Sequence, residues 1–91
     1  MIYVGDIGVE INYNCLEDIS AATLLQLNYR KPGGDTGFWV AVADGTQALK
    51  YVTAAIADLD RAGLWRIQPY IELPGFAGHA DAKMFRVAEP V

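Results

Sequence analysis

The sequence predicts an all-β fold, antiparallel strands packed as a two-sheet sandwich with one short helical turn near residues 57–62, in a single domain over residues 1–91. Three observations carry this prediction. Side chains alternate with period two along most of the chain. Glycine and proline punctuate the alternating runs. A length of 91 residues at 53% hydrophobic composition closes one buried interior and leaves no room for a second.

From Ile7 to Cys15 the alternation is unbroken, with Ile7, Val9, Ile11, Tyr13 and Cys15 on one side and Gly8, Glu10, Asn12 and Asn14 on the other, which predicts a half-buried strand. After a turn at Glu17-Asp18-Ile19-Ser20, Leu25, Leu27 and Tyr29 alternate with Gln26, Asn28 and Arg30 as a second strand. Lys31-Pro32-Gly33-Gly34-Asp35 reverses the chain, because proline lacks a ladder donor and glycine tolerates positive φ. Phe38-Trp39-Val40-Ala41-Val42-Ala43 is apolar on both faces, which suits a strand whose second side is covered by a neighbour or partner.

The segment 46–62 admits two readings. Leu49, Val52, Ile56 and Leu59 recur at helical spacing between Thr46 and Gly63, which fits a helix and an α+β fold. Tyr51-Val52-Thr53 favours extended structure, which fits a strand followed by a helical turn. Beyond Gly63, Trp65, Ile67, Ile71 and Leu73 oppose Arg66, Gln68, Tyr70 and Glu72, a two-faced strand in which Pro69 demands a free edge or a bulge. Leu73-Pro74-Gly75-Phe76 turns the chain, and Lys83 to Val87 forms the last strand with Phe85 and Val87 inward.

Charge narrows the function classes. A net charge of −4 repels phosphate backbones and anionic headgroups, so neither nucleic acid nor membrane is an expected partner. The opening residues Met1 to Asp6 lack a basic leader, and no run reaches the roughly 18 apolar residues of a membrane helix, so a soluble chain is expected. Cys15 is the only cysteine, which excludes an intrachain disulfide and fits a reducing compartment.

No constellation of catalytic or ligating residues emerges, and no cofactor or metal is expected. His79-Ala80-Asp81 offers two ligands where a structural zinc site takes four. Asp44, Asp58 and Asp60 lack the glycine and distal glutamate of a calcium loop, and turn capping accounts for them better. Gly33-Gly34 lacks the lysine and hydroxyl residue of a phosphate loop. Cys15, on the apolar side of its strand, is expected to be an inert thiol. Trp39 and Tyr70 are the candidate interaction residues, with Trp39 directed away from one core face into a subunit contact.

The stretch Asp58-Leu59-Asp60-Arg61-Ala62-Gly63-Leu64-Trp65 resembles the corner between the fifth and sixth strands of immunoglobulin-like domains, with Trp65 in place of the usual tyrosine and its indole N–H still able to donate. No cysteine follows two positions later, so the inter-sheet disulfide of antibody domains is missing. In order, Tyr3-Val4-Gly5-Asp6-Ile7-Gly8, Asp18-Ile19-Ser20-Ala21-Ala22, Lys31-Pro32-Gly33-Gly34, Tyr51-Val52-Thr53, Asp58-Leu59-Asp60-x-Ala62-Gly63 and Leu73-Pro74-Gly75 resemble small bacteriophage and prophage proteins with an immunoglobulin-like sandwich. The N-terminal domains of phage baseplate upper proteins are similar. This resemblance implies a strand at Leu49 to Ala54 with a helical turn before Gly63. It further implies a non-catalytic structural or assembly role in a virion's tail, baseplate or neck, in a protein made in the bacterial cytoplasm. The implied partners are other phage structural proteins or copies of itself in a homo-oligomer. A carbohydrate- or protein-binding adhesion module of the same fold is the alternative.

Overall fold

A computed structural model describes residues 2–90. Among the described residues nine strands form two sheets: β1 (Ile2–Tyr3), β2 (Glu10–Asn14), β3 (Leu24–Arg30), β4 (Thr36–Val40), β5 (Val42–Asp44), β6 (Ala48–Val52), β7 (Gly63–Leu73), β8 (Phe76–His79) and β9 (Lys83–Ala88). The first sheet runs β1-β9-β7-β3-β4, with β8 also paired to β7, and the second runs β2-β6-β5. All pairs are antiparallel except β1 with β9. With β2 as strand B, this order places G, F, C and C′ in one sheet and B, E and D in the other, the immunoglobulin-like arrangement. The fold is therefore an all-β, immunoglobulin-like sandwich. No helix among the described residues is long and apolar enough to cross a membrane.

The segment 46–62 resolves against the helical reading: Ala48–Val52 is strand and only Ile56–Leu59 is a single 3₁₀ turn. Pairing decides this, because β6 lies between β2 and β5 and each of its residues has a cross-strand partner that a helix would forfeit. The turn is held by Asp58, whose Oδ2 accepts from the Ala54 N–H, the Ala55 N–H and the Tyr51 hydroxyl. Turn capping by this aspartate is thus directly visible.

Two further expectations need correction. Ile7 stands exposed and the strand begins only at Glu10, because Gly8 adopts φ 81 and bends the chain out of extension. The bent segment is pinned instead on Thr53, which is buried: its Oγ1 accepts from Val9 N–H and donates to the Asp6 carbonyl, while Gly8 N–H bonds the Thr53 carbonyl. The apolar run Phe38 to Ala43 is two strands. After β4 the chain crosses at buried Ala41 from the first sheet to the second and continues as β5.

Pro69 sits where its missing donor does no harm. On the side of β7 away from β3, β9 pairs with Gly63 to Ile67 and β8 with Tyr70 to Leu73, so Pro69 falls at the break between them. Its carbonyl accepts from Ala80 N–H there, in the irregular stretch that separates β8 from β9.

Between the sheets lies an aromatic column. Trp39 on β4 stacks on Tyr51 of the opposite sheet at 4.9 Å and on Trp65 at 6.1 Å, and Trp65 stacks on Phe85 at 5.9 Å. Ile67, two positions after Trp65, joins Ile11 in the same core, so apolar side chains fill the place a disulfide would take. Trp65 is fully buried, and its Nε1–H donates to the Arg61 carbonyl at 2.8 Å, the corner bond anticipated from the sequence.

The turn motifs meet in space. Lys31 pairs with Asp60 at 2.9 Å, and Arg61 donates to the Pro32 carbonyl at 2.7 Å and to Asp35 at 3.0 Å. The β3–β4 hairpin is thereby fastened to the corner that leads into β7. The hydrogen bonds of Asp58 also set a pH response. Burial raises the Tyr51 pKa first and its bond to Asp58 second, to about 12 from 10.0. Burial opposes ionisation of Asp58, but the Tyr51, Ala54 and Ala55 donors outweigh it and the net shift is downward from 3.8. A raised phenol stabilises the fold fully below pH 10.0 and loses that contribution as pH climbs towards about 12. A lowered carboxyl stabilises the fold above pH 3.8 and loses that contribution as pH falls through its depressed folded value. Urea midpoints of the wild type and Tyr51→Phe should therefore diverge least at the two extremes and most near neutrality.

Candidate interaction surface

Sequence reasoning placed Trp39 and Tyr70 on the outer surface, and the structure brings only Tyr70 there. Trp39 is a correction: it is 6% exposed, in the core, because Leu27 opposite it in the ladder also faces inward. The outward residues of β4 are Thr36, Phe38 and Val40. Phe38 and Val40 are 56% and 64% exposed, and Val42 on β5 is 57% exposed. An aspartate at position 39 would consequently damage the core rather than probe a contact.

Cross-strand pairing arranges the outer face of the first sheet in rows. One row runs Thr36, Arg30, Arg66, Met84; the next Phe38, Asn28, Gln68; a third Val40, Gln26, Tyr70, His79. Tyr70 is half-buried, with its hydroxyl on Glu72 at 3.3 Å and its ring 5.1 Å from the His79 ring. Burial first and the Glu72 charge second push its phenol upward. Between the first two rows lies a groove of about 570 Å³ lined by Asn28, Arg30, Thr36, Phe38, Arg66 and Gln68. The groove has no counterpart in the sequence reading, since it depends on which residues of three separate strands fall in register.

A second cavity of about 890 Å³ opens where the end of β2 faces β7 and β8, and Tyr13, Cys15, Ile71, Leu73, His79 and Asp81 contribute to it. The Cys15 thiol there is pushed up by burial and then by Glu17, the opposite of what a thiolate nucleophile requires. Tyr13 donates to the Asp81 carbonyl and lies under Lys83 at 4.7 Å. Among the described residues, no three His, Cys, Asp or Glu side chains converge to hold a metal ion.

β4 is the edge of its sheet and carries no charged residue, proline or bulge to blunt it. Ala41 N–H bonds the Leu25 carbonyl on β3, so alternation directs the amides and carbonyls of Thr36, Phe38 and Val40 to the open side.

The fold and this surface define an immunoglobulin-like module with an unblunted edge at β4 and exposed apolar side chains beside it. Comparison with known proteins finds no matching family model, no matching curated protein and no matching solved structure.

Proposed function

We propose that the protein is a non-catalytic assembly module that joins subunits through the open edge of β4, in the manner of structural proteins of a bacteriophage or prophage particle. The carrying observation is the self-complementarity of that edge. Antiparallel pairing of two copies about Phe38 sets Phe38 opposite Phe38, and Thr36 opposite Val40, with every outward amide of both strands engaged. That amounts to about six main-chain hydrogen bonds. No like charges meet within the paired strands, and Phe38 and Val40 of both copies cover one another. The phage assignment draws its support from the ordered turn motifs, and the virion follows from it as the place of action.

Val40→Pro removes one outward N–H without disturbing the β3–β4 ladder, and Phe38→Lys places a charge on the axis. Sedimentation velocity across a range of concentrations should show the wild type as a dimer or larger and both variants as monomers. A wild type that stays monomeric at the highest concentration, or folded variants that associate like the wild type, would overturn the reading.

A further inference from the structure

We infer that the groove on the outer face of the first sheet is a docking site for a peptide segment that presents a carboxylate beside an apolar side chain. The inference deepens the assembly reading by naming the chemistry of a partner; it shares Phe38 with the β4 edge but is carried by the arginine pair on β3 and β7. Arg30 and Arg66 stand directly opposite each other on β3 and β7. Like charges in that position repel, so the pair weakens the isolated sheet. Neither arginine, nor Arg86 on the same face, joins an ion pair among the described residues, whereas Lys31, Lys50 and Arg61 all do. Within the strands of this sheet the one carboxylate is Glu72, and the other ten of the eleven Asp and Glu lie on loops or on the second sheet. A cationic face has thus been set apart on an anionic protein.

The shape of the groove and its lining select the ligand. The guanidinium groups of two arginines opposed in the ladder can donate to both oxygens of one carboxylate. In the adjacent row the side-chain amide of Asn28 has no hydrogen-bond partner among the described residues, and the Gln68 side chain is held in place by donating to the Ala80 carbonyl at 3.0 Å. An amide at that place suits the main chain of an extended peptide. Phe38 closes the groove with an exposed ring that an apolar side chain would cover. A polyphosphate chain or anionic membrane is disfavoured, because its further charges would be repelled by the net charge of −4 on the molecule.

The test is an amide and guanidinium nitrogen-15 NMR titration with N-acetyl-Glu-Phe-Glu-amide, its Gln-Phe-Gln counterpart, and inorganic phosphate. The proposal expects shifts at Asn28, Arg30, Arg66 and Phe38 with the first peptide, binding about tenfold weaker with the second, and weaker still with phosphate. Arg66→Gln should abolish the response while raising the melting midpoint of the free protein, since it relieves the repulsion. Repeating the titration on the Val40→Pro variant separates this site from the edge, because Val40 does not line the groove. Equal binding of the two peptides, equal shifts from phosphate, or shifts located elsewhere would overturn the proposal, whatever the state of association.

Discussion

Trp65→Ala is expected to lower the urea midpoint sharply. The side chain is fully buried, stacks on Phe85 and Trp39, and spans the centre of the aromatic column. Truncating a buried tryptophan costs about 3 to 5 kcal/mol. A domain of this size holds roughly 5 to 14 kcal/mol in total. The lost indole N–H also strips the Arg61 carbonyl of its partner at the corner into β7. Trp65→Phe separates the two contributions: it keeps an aromatic in the column and should lose about 1 to 3 kcal/mol. Urea unfolding followed by far-ultraviolet circular dichroism reads both, and a Trp65→Ala protein as stable as the wild type would mean that the column does not support the sandwich.

Gly63→Ala is expected to rank second. Gly63 adopts φ 128, a conformation side chains rarely enter, and a Cβ there would lie 2.7 Å from Cγ of Pro32. Strain of about 1 to 3 kcal/mol adds to an overpacking cost of similar size. The melting midpoint should fall by roughly 10 °C or more. Gly34 provides the control: its φ is 105, but nothing lies within 4 Å of an added Cβ, so Gly34→Ala should lose the strain alone. Similar losses at both positions would show that the close approach of the hairpin to the corner is not structural. The contact matters because it fastens the Lys31-Pro32 hairpin onto the segment that positions Trp65.

How far the sequence could be read follows from the same residues. β3 and β7 were legible because one face of each is mainly apolar and the other mainly polar, so parity alone assigns inside and outside. Parity fails at Phe38 to Ala43, where every residue is apolar. A slip of one position there exchanges Trp39 with Phe38, and only pairing with Leu27 on β3 decides which is buried. The stretch from Ile7 to Val9 alternates perfectly yet is no strand, because Gly8 turns the chain and Thr53, far along the sequence, captures it. At 46–62 the helical spacing of Leu49, Val52, Ile56 and Leu59 competed with a β-favouring triplet, and the ladder to β2 and β5 settled the matter. Of the candidate surface, Tyr70 was legible from its parity on β7. The facing of Arg30 by Arg66 was not, because it is set by the register between strands more than thirty residues apart.

Assembly through the uncovered edge of β4 would draw its outward amides into a new ladder. Amide hydrogen exchange of Thr36, Phe38 and Val40, compared between dilute and concentrated protein, probes that edge directly, since these three N–H groups face no strand among the described residues. Protection that rises with concentration at these amides, while those of β5 stay unchanged, is the predicted result. Fast exchange at every concentration would contradict it.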